Sequence, residues 1–146
     1  LAGDGGALPA LARPLRLFAG TMLGSGRQWF SWIHIDDLLD VVCFVLDEKS
    51  LAGPLNATAP TPVRHAELMA AMAATLRRPL WPVRIPAGLL RAGFGELAEL
   101  FVEGQRVTPE RLLALKFKFR YSTIGGALEQ ALGPAARAAA AVNDSP

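Results

Sequence analysis

The sequence predicts an α/β fold in which strands and helices alternate at first and a mostly helical cap follows. Three observations carry that expectation. The run Gln28-Trp-Phe-Ser-Trp-Ile-His-Ile-Asp-Asp37 reads as a strand end that turns into a helix at two carboxylates. Apolar residues then recur at helical spacing through 36–46 and 64–77, with a short extended piece between them. Beyond Pro86 the pattern is helical almost throughout, and the two or three strands are fewer than a doubly wound sheet needs. The chain is therefore expected to be part of a fold.

Residues 1–27 are Gly- and Pro-rich, with one apolar stretch from Leu15 to Phe18, and read as a turn-rich connector. A helix is expected from Asp36 or Asp37 to about Leu46, burying Leu38, Leu39, Val42, Val45 and Leu46. Asp36 and Asp37 suit its start, where free backbone N–H groups and the helix dipole favour carboxylates. Gly53-Pro54 breaks the chain, and Leu55–Ala59 reads as a short strand before Pro60 and Pro62. A second helix, Arg64 to Arg77, carries Leu68, Met69, Met72 and Leu76 on one face and stops before Pro79. Trp81, Val83 and Ile85 alternate with Pro82 and Arg84, which suits an edge strand because proline cannot donate to a ladder.

Helices are expected at about 87–92, 95–102 and 109–115, the last with Thr108 as N-cap and Pro109 in the first helical position. Phe117, Phe119 and Tyr121 alternate with Lys118 and Arg120, predicting a strand with an aromatic and a basic face. Ser122 or Thr123 caps a last helix bearing Ile124, Leu128 and Leu132. Three segments result: 1–60, 61–133, and a flexible Ala-rich tail over 134–146.

At 146 residues the chain can form one ordinary core. Its 51% apolar content and mean hydropathy of +0.28 are high for a free-standing domain, implying surface built to be covered. No apolar run approaches the roughly 18–20 residues of a membrane helix. The opening Leu-Ala-Gly-Asp-Gly-Gly resembles neither a basic signal peptide nor an initiator methionine, so a start inside a longer chain and a cytoplasmic location are expected. Fifteen Lys and Arg are scattered among thirteen acids, net +2, without the basic stripe of a nucleic-acid binder. The single cysteine, Cys43, excludes an internal disulfide and any CxxC metal site, and its apolar neighbours mark it as a buried small hydrophobe. A phosphate loop fails on spacing: GxGxxG begun at Gly24 meets Trp29, and begun at Gly3 meets Leu8.

The stretch 28–37 holds the chemistry. Buried polar groups without partners are costly, and surface loops rarely display Trp29, Phe30 and Trp32 together. A strand end opening onto a pocket accounts for both. Gln28 and Ser31 can hydrogen-bond a neutral hydroxylated ligand. Trp29 and Trp32 either stack on a ring or pack a junction, and His34 either orients substrate or is satisfied beside the helix start. Gln105 and Arg106, in a turn, either contact ligand or leave Arg106 to pair with Glu103 or Glu110. Lys116, Lys118 and Arg120 read as solubilising charges on an edge strand.

These residues are similar to a known family. Gly24-Ser-Gly-Arg-Gln-Trp-Phe-Ser-Trp-Ile-His-Ile-Asp-Asp-Leu38 resembles the segment after the catalytic half of extended short-chain dehydrogenases, and specifically their nucleoside-diphosphate-sugar epimerase-like subgroup. The likeness continues through Gly53–Pro62, Arg78-Pro79, Gly95–Leu100, Gly104–Leu112, Phe117–Tyr121 and Ala127–Leu132, covering about residues 3–132. It implies that 1–60 is the residue of a Rossmann-like domain and 61–133 a substrate-side C-terminal domain.

The family also implies NAD(P), a Gly-rich first turn and a Tyr-x-x-x-Lys pair. The only tyrosine, Tyr121, is followed four positions later by Gly125, so no such pair is here. The chain alone is thus expected to hold no cofactor and to be inactive. Its expected partners are the missing Rossmann half or a second copy of itself, and a small-molecule substrate. An arginine that grips the diphosphate in UDP-sugar epimerases aligns with Phe30, which cannot neutralise a phosphate. A stand-alone ligand-binding module and a self-associating interaction domain are the alternatives.

Overall fold

The computed structural model describes residues 1–3, 5–48, 51–85 and 104–133. The first helix, α1 (Ala7–Arg16), occupies the stretch expected to be a connector. Leu8, Leu11, Ala12 and Leu15 fall at i, i+3, i+4 and i+7 and are buried together. Pro9 and Pro14 obscured this pattern. Pro9 sits in the first turn, where its missing N–H has no intrahelical partner in any case. The helix ends on Phe18 in the left-handed region, φ 60°, with the Ala19 N–H returning to the Pro14 carbonyl at 2.9 Å.

Two small sheets follow. Strand β1 (Gly20–Leu23) runs parallel to β4 (Leu80–Ile85), with Gly20 opposite Leu80 and Leu23 opposite Ile85. Strand β2 (Trp29–Phe30) pairs antiparallel with β3 (Val63–Arg64), placing Trp29 opposite Arg64. The predicted edge strand at 80–85 therefore exists, Pro82 included. Leu55–Ala59, expected as a strand, joins no ladder. Its neighbours Pro54, Pro60 and Pro62 have no N–H, and Ala59 donates to the Trp32 carbonyl at 2.6 Å.

Helix α2 (Ile35–Asp47) matches the predicted span, but its packing is reversed. Asp37 and Val41 are buried, whereas Leu39, Val42 and Leu46 are 57%, 49% and 76% exposed. Val45 and Cys43 are also exposed, so Cys43 is not a core residue. The apolar positions 35, 39, 42 and 46 form one stripe along α2 that no described residue covers. Helix α3 (His65–Leu76) has the expected core face of Leu68, Met69, Met72 and Leu76. Glu67 accepts from the Arg64 N–H at 2.7 Å at its start, and Arg77 closes it in the left-handed region.

Helix α4 (Glu110–Ala114) begins one residue later than expected, with Pro109 rather than Thr108 as N-cap. The predicted strand 117–121 is absent: its rings pack edge-on, Phe117 against Phe119 and Phe44, and its amides go to a carboxylate instead of a ladder. Helix α5 (Ile124–Leu132) follows Thr123 as predicted. Helices α1, α3 and α5 share one apolar cluster, in which Leu8, Leu15, Leu68, Met72, Leu128 and Leu132 are fully or nearly fully enclosed. This core spans both sides of residue 60. The helices expected at 87–92 and 95–102, and the tail 134–146, lie outside the described residues. Among those residues no helix is long and apolar enough to cross a membrane.

Candidate functional site

The site grows from β2. One residue beyond it, Ser31 donates its hydroxyl to the Gln105 carbonyl at 2.7 Å and accepts from the Val107 N–H at 2.9 Å. These two hydrogen bonds to main chain lay residues 104–107 along the strand. Gly104 permits the approach, because a Cβ there would fall 1.8 Å from the Trp29 carbonyl oxygen. Ser31 is therefore a clamp, and its hydroxyl is already engaged on both its donor and acceptor sides.

That clamp brings the two halves of the predicted site together. The Arg106 guanidinium lies 5.0 Å from the Trp29 ring centroid, and the cross-strand Arg64 guanidinium lies 3.7 Å from it. Arg64 also donates to the Arg27 carbonyl. Gln28 sits in the turn before β2, accepting from Ser25 Oγ at 3.2 Å while its carbonyl receives the His65 N–H. Gln28, Trp29, Ser31, Gln105 and Arg106 thus occupy one neighbourhood.

Trp32 and His34 do not face it. Trp32 is 3% exposed, packs with Ala59 and Ala127, and donates its indole N–H to the Thr61 carbonyl at 2.9 Å. His34 is 1% exposed and caps α2: Nδ1 accepts from the Asp36 N–H at 3.2 Å, leaving Nε2 to donate to Gln130 Oε1 at 2.6 Å. Its ring lies 4.1 Å from that of Tyr121. Both side chains are built into the support behind the site.

The structure adds residues that sequence reasoning missed. Between the 54–56 loop and the start of α4 lies an open pocket of about 360 Å³, with Asn56, Arg106, Thr108, Glu110 and Arg111 on its walls. Arg111 is fixed there by donating to the Pro54 carbonyl at 2.6 Å and the Ala52 carbonyl at 2.8 Å. Nothing in the local pattern of 108–112 signals that bridge, since its partners lie more than 50 residues away. Asp37, read as a helix-start carboxylate, accepts instead from the Arg120 and Tyr121 amides at 2.6 and 3.0 Å. Arg120 pairs with Asp40 at 2.6 Å. A second cleft, about 420 Å³ beside α3 and α5, holds none of the candidate residues.

Among the described residues the Gly24–Gly26 turn is not built as a dinucleotide loop. The Gly24–Gly26 turn follows a strand, but it leads into β2 rather than a helix, so no helix N-terminus stands there to receive a pyrophosphate. Among the described residues no cluster of three His, Cys, Asp or Glu is arranged to hold a metal.

Comparison with known proteins places the chain. Residues 85–131 match the family model described as Domain of unknown function (DUF1731). The chain is 44% identical to the epimerase family protein SDR39U1 homolog, chloroplastic, of Arabidopsis thaliana, over 88% of this chain and 37% of that protein. It is 37% identical to the epimerase family protein YfhF of Bacillus subtilis, over 88% of this chain and 42% of that one. The chain thus spans less than half the length of these curated relatives.

Two solved structures are similar. Human epimerase family protein SDR39U1 (isoform 2), solved with NADPH, superposes with a TM-score of 0.83 at 35% identity, covering 90% of this chain and 44% of the human one. The nucleoside-diphosphate sugar epimerase of Corynebacterium glutamicum gives 0.67 at 37% identity, covering 91% of this chain and 24% of its own. The chain is homologous to the epimerase family proteins and carries their C-terminal DUF1731 domain.

Proposed function

We propose that these residues form the substrate-side C-terminal part of an NAD(P)-dependent, epimerase-like oxidoreductase of Rossmann type, whose cofactor-binding and catalytic half is supplied by sequence outside this chain. The observation that carries the reading is the match to the human relative solved with NADPH, of which this chain covers 44%. The absence of a Gly-rich strand-to-helix turn and of a Tyr-x-x-x-Lys pair supports the division of labour. In this reading Trp29, Arg106, Gln105 and Gln28 face a small hydroxylated substrate, Ser31 positions the 104–107 segment, and Trp32 and His34 hold the wall behind. The bare stripe on α2 is then the face against which the other half packs.

The test compares NADPH binding by calorimetry for the 146-residue chain and for a protein joining it to a Gly-rich βαβ segment with Tyr-x-x-x-Lys. Binding confined to the joined protein supports the reading. Micromolar affinity in the chain alone refutes it. A second reading, self-association through the α2 stripe, rests on the same exposed residues. It is separated by sedimentation: Leu39→Glu and Leu46→Glu then convert a dimer to a monomer, and both leave the fold intact because each side chain is more than half exposed.

A further inference from the structure

We propose that the pocket between the 54–56 loop and α4 is a subsite for an oxyanion, the phosphate or carboxylate end of a small ligand, gripped by Arg106 and Arg111. It rests on the reading above only in calling that ligand the substrate.

Arg111 is the fixed half of the grip. A guanidinium has five N–H donors in a rigid plane, and two carbonyls, of Pro54 and Ala52, hold this one in place. Donors remain for a ligand, and the side-chain ordering that binding normally costs is already met by the fold. Arg106 is the second half. Its guanidinium lies 5.0 Å from the Trp29 ring centroid, and among the described residues its N–H groups make no hydrogen bond or ion pair, so they are available to a ligand. The Ser31 clamp holds the backbone on either side of it.

The charge balance points the same way. The pocket walls carry two guanidiniums and one carboxylate, Glu110. Among the described residues neither arginine is within ion-pair distance of a carboxylate, in contrast to Arg120, which meets Asp40 at 2.6 Å. Two forks with no carboxylate partner among the described residues, beside the neutral polar groups of Asn56 and Thr108, suit the oxygens of a phosphate or carboxylate. The volume of about 360 Å³ admits such a group together with the first atoms of what it is attached to.

The experiment uses the full 146-residue chain. Nitrogen-15 spectra of the Arg106 and Arg111 Nε–H groups and the Trp29 indole are followed against inorganic phosphate, sodium acetate and sodium chloride at matched ionic strength. Saturable, millimolar shifts with phosphate or acetate, absent with chloride, are expected, and the anion that binds more tightly names the source. Arg106→Gln should weaken that binding roughly fivefold or more, and Arg106→Lys should recover part of it, since lysine keeps the charge but not the fork. Arg106 is exposed and makes no buried hydrogen bond, so both variants keep the fold. Linear shifts equal to those of chloride, or binding unchanged in Arg106→Gln, overturn the proposal. NADPH binding by the joined protein tests the functional reading separately and is unaffected by either result.

Discussion

Replacing Asp37 by alanine should loosen the join between α2 and the segment leading into α5. The side chain is fully buried, and its two oxygens accept from the Arg120 and Tyr121 amides at 2.6 and 3.0 Å. A hydrogen bond to a charged group contributes about 1.5–3 kcal/mol, and a buried donor left without a partner costs about 1–3 kcal/mol. The two bonds together are therefore worth about 3–6 kcal/mol, a large part of the roughly 5–15 kcal/mol that holds a domain folded. With a urea m-value of about 2 kcal/mol/M, the unfolding midpoint should fall by about 1.5–3 M.

Asp37→Asn keeps the volume but turns one acceptor into a donor facing an N–H, so it should recover less than half of the loss. Circular dichroism measures the midpoint, and hydrogen exchange at the Arg120 and Tyr121 amides localises the effect. A loss of about 3 kcal/mol corresponds to exchange faster by roughly a hundredfold. A midpoint shift equivalent to less than about 1 kcal/mol, or full recovery by asparagine, would refute the reasoning.

Gly104→Ala places a Cβ where the Trp29 carbonyl stands, so the 104–107 segment must move off β2. About 1–3 kcal/mol of stability should be lost, and the Trp29 indole resonance should shift as Arg106 leaves its ring. Trp32→Ala should cost about 3–5 kcal/mol in urea unfolding, as expected for a buried aromatic core residue. His65 is buried with neither ring nitrogen hydrogen-bonded among the described residues, and burial lowers its pKa below 6.5. The unfolded chain then takes up this proton first as pH falls below 6.5, so the His65 contribution is fully present above that pH and declines beneath it. His65→Leu should flatten the fall in urea midpoint between pH 7.5 and 5.5, relative to the unaltered chain. An unchanged slope counts against this account.

Periodicity revealed what local packing decides. Helices α2, α3 and α5 were legible because their apolar spacing and end residues agree. α1 was legible in principle, for Leu8, Leu11, Ala12 and Leu15 have the same spacing, but two prolines drew the reading toward a turn. Spacing says that a face is apolar and not what covers it, which is why Leu39, Cys43 and Leu46 were expected inside and lie outside. Alternation at 117–121 imitated a strand, whereas its phenylalanine rings meet edge-on with one another and with Phe44. Gln28, Trp29, Ser31, Gln105 and Arg106 were named from residue type, and the structure brings them into one neighbourhood, of which only Arg106 lines the pocket. Arg64 and Arg111 act through partners far along the chain, a relation that no short window contains.

The shared core of α1, α3 and α5 bears on how the chain is made. The apolar faces of α1 and α3 are synthesised first, yet their partner on α5 begins only at Ile124, 48 residues after α3 ends at Leu76. At about 5–20 residues per second, those faces wait roughly 2–10 seconds for the helix that covers them. Leu68 and Met72 therefore stay accessible to other nascent chains during that interval, and closure depends on contacts distant in sequence, which slow folding. Shortening the chain before Leu128 would make the interval permanent, so such truncations should aggregate more readily than the full chain.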